Sequence, residues 1–190
     1  MRYPYAMAEI ENREILVRAA SALFRRKGYS GVSLNEILQA SDLPKGSLYY
    51  HFPGGKRELA DAATRWAGGW VEGMLDKTFG AAPSFDAGAL TVCETIASAV
   101  TADAYVPACP VLSILQAAPS EPALRKTAVD VYARWTDCIE RHAARFGLAE
   151  PRKAAFLLHV RLQGAWIIAY AQQSNAPFRM LAEELREATA

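Results

Sequence analysis

The segment KGSLYYH, from Lys45 to His51, places hydrogen-bond donors and flat aromatic rings side by side. Ammonium, hydroxyl and imidazole groups donate to phosphate oxygens and to base edges, the polar groups that duplex DNA displays. Gly46 has no side chain and lets the backbone approach a partner closely. At helical spacing only Leu48 and the following Phe52 face a protein core. We therefore predict that this surface contacts DNA, in preference to being a merely solvated helix face.

A helix-turn-helix is predicted over residues 32–59, which hold two short helices and a tight turn. Ser33 and Glu36 form a capping-box pair, in which each side chain bonds an amide at the start of a helix. The polar side chains of residues 41–43 bond nearby backbone instead of continuing that helix. Pro44 is tolerated in a first helical turn, where no amide partner is needed, so the second helix begins near it.

The flanking sequence supplies the rest of a small helical domain. Apolar residues recur at helical spacing from Glu14 to Phe24, and Gly28 follows as a helix stop. Tyr29 is expected to help close the core. After the turn at residues 53–55, Lys56 opens a long further helix.

The segment from about Glu11 to Leu59 resembles the DNA-binding domain of the TetR family of bacterial transcription regulators. The motif GSLYYHF, followed closely by a lysine, carries the resemblance and is more specific than helix-turn-helix spacing alone. Two features depart from the commonest family pattern: Pro44 replaces a small polar residue, and FPGGK has one residue more than FxxK. Both features resemble the LmrA/YxaF-like branch of the family.

The resemblance implies a role for each position of the motif. Lys45, Gly46 and Ser47 match the positions that read base edges in the major groove. The other matching positions hold phosphates. For His51 a partly buried, internally satisfied histidine is the open alternative. The predicted DNA-binding residues are Ser33, Lys45, Gly46, Ser47, Tyr49, Tyr50, His51 and Lys56.

The length and the charge distribution indicate two domains. A chain of 190 residues can bury the cores of a small DNA-binding domain and a larger helical one. Residues 1–66 carry ten Lys and Arg against seven Asp and Glu, whereas residues 67–190 carry eleven against thirteen. A positive N-terminal excess suits a DNA-facing region. We predict a flexible arm over 1–8, a helix-turn-helix domain over 9–58 and an effector-binding and dimerisation domain over 59–190.

The cysteines and the apolar segments predict the compartment. Three cysteines without CxxC spacing argue against a disulfide framework and a structural zinc site. The N-terminus lacks an apolar signal core, and no stretch of about eighteen uninterrupted apolar residues occurs. We therefore predict a protein of the reducing cytoplasm with no membrane partner.

Helical periodicity continues to the end of the chain, so the predicted fold is all-α. The fourth helix keeps one apolar face from Leu59 to Met74 and must leave the DNA-binding domain to enter the next one. The remaining helices are predicted over residues 85–100, from near Pro110, and over residues 121–146, 151–173 and 177–188.

The helix predicted over residues 151–173 is apolar on nearly every face, and such a helix is buried on every side. In a domain of this size one face packs on its own core, and the other needs a second subunit. We predict a two-fold dimer whose four-helix interface also uses the last helix, as the family resemblance implies. The predicted interface residues are Leu157, Arg161, Gly164, Ile168, Phe178, Leu181 and Leu185.

Aromatic side chains are frequent in the predicted C-terminal domain, where they would stack on a flat apolar ligand. Core packing explains most of them equally well. The LmrA/YxaF resemblance implies a hydrophobic effector, aromatic plant-type or drug-like. Cys109 is expected to be a small buried residue. The alternative is a redox sensor, which would require an exposed thiol with a lowered pKa. The residues predicted to line the effector site are Trp70, Cys109, Leu112, Trp135 and Trp166.

Metal binding and catalysis are not predicted. Cys138 and His142 lie four residues apart on one helix, a spacing that can place two ligands on a metal. No third ligand is near them in sequence, so we predict neither a metal site nor a cofactor. The chain holds no Ser/His/Asp arrangement, no phosphate-cradling glycine loop and no spaced carboxylate pair, which argues against an enzyme.

The sequence thus predicts a homodimeric regulator of transcription, a repressor that a small effector releases from a palindromic DNA operator. The alternative within the same fold is an activator or a regulator without an effector. Outside this class, the alternative is a small helical enzyme.

Overall fold

The computed structural model describes residues 4–101, 105–117 and 119–187. Within these ranges the chain forms nine helices and no strand, which confirms the all-α prediction. The helices are α1 Pro4–Lys27, α2 Leu34–Ser41, α3 Lys45–His51, α4 Gly55–Ala81, α5 Phe85–Thr101, α6 Leu112–Leu115, α7 Pro122–Arg145, α8 Pro151–Gln172 and α9 Ala176–Glu187.

The first compact unit consists of Met1–Gly68 and Pro110–Val131. Its core gathers fully buried apolar side chains from α1, α2, α3 and α4, together with Ile114 of α6 and Leu124 of α7. The amide of Tyr29 donates to the Ser113 carbonyl at 3.0 Å, which ties α6 to the end of α1. Packing among these helices, more than the propensity of any one of them, therefore stabilises the short α2 and α3.

The second compact unit consists of Gly69–Cys109 and Tyr132–Ala190. The large buried rings of Phe79, Trp135 and Phe178 lie in its core. Asn175 donates to the Ala97 carbonyl at 3.2 Å and so joins the turn before α9 to α5. The helices α4 and α7 each contribute residues to both units.

The bounds of the two units differ from those of the predicted domains over residues 59–68 and 110–131. The sequence assigns residues 110–131 to the C-terminal domain, yet in the structure they belong to the unit that contains the helix-turn-helix. Ile114 and Leu124 are fully buried there, in the core that also contains side chains of α1 to α4. No local pattern in the sequence reports which of two cores an amphipathic segment joins.

The first helix includes part of the segment that the sequence assigns to an N-terminal arm. The sequence predicts a flexible arm over residues 1–8, and α1 begins at Pro4. Proline is well suited to the first helical position, and the alanine, methionine and glutamate residues that follow favour a helix. Residues 1–3 and the predicted end of the last helix at Ala188 lie outside the described residues.

The helix α8 buries one face within the chain and exposes the other. Its buried residues are Ala155, Leu158, His159, Leu162, Ala165, Trp166 and Ala169. The opposite surface, which we call the α8 apolar face, consists of Phe156, Leu157, Val160, Ile167 and Ile168, each about half exposed. By length and composition, α8 alone among the described helices could cross a membrane. Exposed apolar side chains grouped on one helix are typical of an interaction surface.

Candidate nucleic-acid interface

The helix α2 begins with the capping box that its sequence predicts. The Glu36 amide donates to Ser33 Oγ at 3.2 Å, and the Ser33 amide donates to Glu36 Oε2 at 2.8 Å. Lys27 at the end of α1 bonds the other oxygen of Glu36 at 2.6 Å. The bond from Lys27 and the amide of Ser33 lower the pKa of Glu36 to about 2. The start of α2 is thus fixed to the end of α1.

The turn between α2 and α3 is built from residues that stop a helix. Asp42 adopts the left-handed conformation, with φ of 52°, and its amide donates to the Leu38 carbonyl. Pro44 then holds an extended conformation and immediately precedes α3. In α3 and just after it, Leu48 and Phe52 are completely buried. These two anchors turn the remaining side chains of α3 outward.

The outward surface of α3 carries every residue that the motif predicts there. We call this surface the reading face; it consists of Lys45, Gly46, Ser47, Tyr49, Tyr50 and His51. Lys45 Nζ lies 5.8 Å from the centroid of the Tyr49 ring, and the Tyr50 and His51 rings meet edge to face at 4.9 Å. A Cβ atom added at Gly46 would meet nothing within 4 Å. The reading face therefore combines a cation, hydroxyl groups and a position where backbone can approach a partner.

Lys56 lies on the first turn of α4, beside rather than within the reading face. Its ammonium is 4.3 Å from the centroid of the Tyr29 ring, and the Tyr29 hydroxyl donates to Glu121 at 3.5 Å. Partial burial lowers the pKa of Lys56, while the carboxylates of Glu36 and Glu121 oppose that shift. The contact with the Tyr29 ring thus holds the Lys56 ammonium in a defined position.

The additional residue in FPGGK is accommodated by the start of α4. Gly55 has a φ of 66°, a conformation that residues with a side chain adopt at a cost. The Gly54 amide donates to Glu58 Oε2 at 2.7 Å and so satisfies a backbone donor at the helix start. The positive φ at this position thus explains why the motif has a glycine at Gly55.

The predicted effector residues lie in different surroundings. Trp70 is exposed and lines an open groove of about 770 Å³ together with residues of α4 and α5 such as Met74 and Thr91. Cys109, Trp135 and Trp166 are buried in the second unit, whereas Leu112 belongs to α6 in the first. The five residues thus differ in exposure and in the compact unit to which they belong.

A polar cluster that the sequence did not indicate lies beside Trp135. Tyr132 donates to Gln163 Oε1 at 3.2 Å, and Thr136 Oγ1 lies 2.7 Å from His159 Nδ1. His159 Nε2 is buried and has no hydrogen-bond partner among the described residues. Burial lowers the pKa of His159, because the charged ring loses contact with water. A single histidine in an apolar helix carries no spacing signal, so only the fold reveals this cluster.

The predicted interface residues fall into two groups. Leu157, Ile168, Arg161 and Gly164 lie on the exposed side of α8, where Arg161 Nη1 also lies 3.4 Å from a carboxylate oxygen of Glu184. The residues on α9 are instead buried within the chain; they are Phe178, Leu181 and Leu185. Because these three side chains pack in the protomer's own core, we omit them from the proposed contact surface.

Two segments of the chain match protein families. Residues 16–63 match the family described as bacterial regulatory proteins, tetR family. Residues 87–184 match the family described as transcriptional regulator LmrA/YxaF-like, C-terminal domain. The first match covers the reading face, and the second covers α8 and most of α9.

Similar proteins span nearly the whole chain. The HTH-type transcriptional regulator LmrA of Bacillus subtilis is 28% identical over 88% of this chain and 90% of its own length. The regulator YxaF of the same organism is 30% identical over 92% and 93% of the two chains. A solved complex of the TetR family regulator CifR with a 26 bp double-strand operator DNA has a TM-score of 0.79 at 21% identity, covering 93% of this chain and 95% of CifR. The CifR comparison shows a shared fold.

Proposed function

Because the chain belongs to the TetR family of bacterial regulators, we propose that it is a homodimeric repressor, released from a palindromic operator by a small hydrophobic effector. The family match already makes the protein a DNA-binding transcriptional regulator and not an enzyme. The observation that carries the proposal is the reading face, which presents Lys45, Tyr49 and Tyr50 around two buried anchors. We assign the protein to the cytoplasm, where DNA is accessible and thiols such as the three free cysteines stay reduced.

We divide the DNA contacts by position on the helix-turn-helix. Lys45, Gly46 and Ser47 form the first turn of α3, and N-terminal residues of a recognition helix reach base edges. Tyr49, Tyr50 and His51, with Ser33 and Lys56, hold phosphates. Lys45 is exposed and extends from the helix start, whereas the partly buried Lys56 is held over Tyr29.

The dimer contact is proposed on the α8 apolar face. Its five side chains form two groups on the exposed side of α8, residues 156–160 and, about two turns later, residues 167–168, with Arg161 and Gly164 between them. Gly164 lies on this side of the helix, and a Cβ atom there would meet nothing within 4 Å, so a second helix can approach closely. A two-fold axis through this face produces an isologous contact. Two recognition helices then need a separation of roughly 34–36 Å to enter successive major grooves.

The effector is proposed to bind beside Trp135, Tyr132 and His159. A buried nitrogen without a partner costs on the order of 1–3 kcal/mol, which a ligand hydroxyl or carbonyl could recover. The rings of Tyr132 and Trp135 lie 5.2 and 5.9 Å from the His159 ring and offer aromatic contact. An apolar aromatic molecule with a few oxygen atoms fits this chemistry.

Selection of bound duplexes from a random DNA pool, at two salt concentrations, tests the regulator model. We expect an enriched palindrome whose half-sites lie about one helical turn apart. Salt-sensitive binding without enrichment would contradict sequence-specific recognition by the free protein.

Effector binding is tested by titrating aromatic ligands against the complex with the selected duplex. We expect ligands that release DNA to quench tryptophan fluorescence, and Trp135→Phe to remove most of that quenching. Trp70→Phe is the matched control because Trp70 lines the open groove and not the His159 cluster. Quenching that depends on Trp70 would move the effector to the groove, and DNA binding unaffected by any bound ligand would refute effector control.

A further inference from the structure

Three side chains with metal-binding atoms converge on the second unit, away from the reading face in sequence. They are Asp76 on α4 and the pair Cys138 and His142, one turn apart on α7. Their ligand atoms all lie within 4.8 Å of one another. We propose that these residues bind a divalent transition-metal ion, Zn²⁺ being the ion that best fits the ligands.

The distances are close to those of a coordination site. His142 Nε2 lies 2.9 Å from Asp76 Oδ1, so the imidazole and the carboxylate already face each other. Ligand atoms of a tetrahedral Zn²⁺ ion lie about 3.3–3.8 Å apart, given metal–ligand bonds of roughly 2.0–2.3 Å. From at most 4.8 Å, a displacement of about 1 Å would bring Cys138 Sγ to that distance from the other two atoms. The fourth position is left for water, as in three-ligand zinc sites.

Neighbouring groups restrain two of the ligands. The His142 ring stacks on Phe79 with centroids 5.5 Å apart and an interplanar angle of 19°. Cys138 is fully buried, with Sγ 3.9 Å from the Glu72 carbonyl oxygen. Asp76 is more than half exposed at its side chain, which supplies an entry route for the ion. Two of the three ligands are thus held by their neighbours, and the third is accessible from solvent.

The charges around the cluster suit a dication that carries two anionic ligands. A thiolate and a carboxylate would together neutralise Zn²⁺, with a neutral imidazole as the third ligand. Arg141 lies 3.8 Å from Asp76 and also hydrogen-bonds Cys138, and its side chain is largely exposed to solvent. Arg134 is paired with Glu72. The Cys138 thiol would lose its proton on binding the metal.

The choice of metal follows from the mixture of sulfur, nitrogen and oxygen ligands. Thiolate and imidazole together favour zinc over magnesium or calcium, which prefer oxygen ligands.

The sequence predicts no metal site because Cys138 and His142 have no third ligand near them. Asp76 supplies that ligand from a different helix, 62 positions earlier than Cys138. The proposal does not depend on the effector or operator proposals.

The test uses Co²⁺ as a spectroscopic probe in the reduced, chelator-treated full-length protein. We expect one Co²⁺ per chain, a thiolate-to-cobalt charge-transfer absorption, and displacement of the probe by Zn²⁺. At Zn²⁺ concentrations near 100 times the Kd, the unfolding equilibrium constant should fall about 100-fold. Absence of the charge-transfer band would overturn the site.

Variants locate the ion. Cys138→Ser should abolish the charge-transfer band, and His142→Gln and Asp76→Asn should each weaken Co²⁺ binding on the order of tenfold or more. Asp76→Asn changes an exposed side chain, so its folding is expected to be intact and its loss of affinity is direct. Cys93→Ser is the matched control because Cys93 is equally buried in the same unit. A band that survives Cys138→Ser, or one lost in Cys93→Ser alone, would refute the assignment.

Discussion

The reading face on α3 and the α8 apolar face both expose large side chains, yet they are built for different partners. Tyr50 is 66% exposed and Leu157 is 49% exposed, so exposure alone does not separate them. On α3 the rings end in hydroxyl groups and lie near a lysine, which suits phosphates and bases. On α8 the five side chains are hydrocarbon and can gain only by excluding water. The chemistry at the tips of exposed side chains, more than their area, indicates the class of partner.

The largest expected effect is on the α8 apolar face. Ile168→Asp would place an unpaired carboxylate in the proposed dimer contact and should weaken dimerisation on the order of 100-fold, about 3 kcal/mol. Sedimentation velocity over a range of concentrations would measure the change. Val129→Asp is the control, since Val129 on α7 is as exposed but lies outside this face. A dimer that tolerates Ile168→Asp would place the contact elsewhere, and loss of vesicle binding instead would indicate a lipid partner for α8.

The next effect concerns base reading by Lys45. Lys45→Ala should weaken binding to the selected duplex by about 1–3 kcal/mol and change binding to a scrambled duplex far less. Fluorescence anisotropy with both duplexes would measure this difference. Lys77→Ala removes an exposed lysine from the second unit and should leave both affinities unchanged.

Lys56 offers a contrast within the same domain. If Lys56 holds a phosphate, Lys56→Ala should weaken all duplexes alike and reduce the slope of log affinity against log salt by about one. Binding measured at four salt concentrations would give that slope. Equal losses on every duplex for both lysine variants would contradict the division between base and phosphate contacts.

The stability of the helix-turn-helix that carries the reading face is expected to depend on the capping box. Ser33→Ala removes the acceptor for the Glu36 amide and should lower the free energy of unfolding by about 1 kcal/mol. Urea unfolding at neutral pH would measure it. Ser98→Ala, on the exposed side of α5, is the control and should have little effect on stability. An unchanged stability in Ser33→Ala would mean that solvent replaces the cap without loss.

The smallest effect is a dependence on acid. Because the folded pKa of Glu36 is about 2 against an ordinary 4.5, its contribution to stability is complete above pH 4.5. That contribution is lost as the pH falls from 4.5 through about 2. Glu36→Gln should be less stable than the natural protein at pH 6, and the difference should shrink on acidification. Chemical unfolding at several pH values would follow it, and a difference independent of pH would contradict the ionised Glu36–Lys27 contact.

Local patterns in the sequence predicted the helix-turn-helix well. The capping box at Ser33 is confirmed, and so are the family and the all-α fold. These features depend on residues within a few positions of each other, where propensities and hydrogen bonds act directly. The same holds for the burial of Leu48 and Phe52 beside the exposed tyrosines.

Features made by distant residues could not be predicted in the same way. The assignment of Ile114 to the first unit depends on which core offers space, and helical periodicity is the same in either case. The approach of Asp76 to Cys138 and the position of His159 beside Tyr132 likewise arise from helix packing. Periodicity identified α9 as amphipathic, and its apolar stripe is buried within the chain.

The brevity of α3 has a consequence for engineering new specificities. Seven residues form about two turns, and an isolated helix of that length has little stability in water. A synthetic peptide copied from Lys45–His51 should therefore be unstructured and should not reproduce sequence recognition. Exchange of the exposed side chains within the intact domain, with Leu48 and Phe52 retained, is the practical way to transplant another operator preference. In such a graft the exposed side chains are exchanged, and the two buried residues keep the helix packed against the rest of the domain.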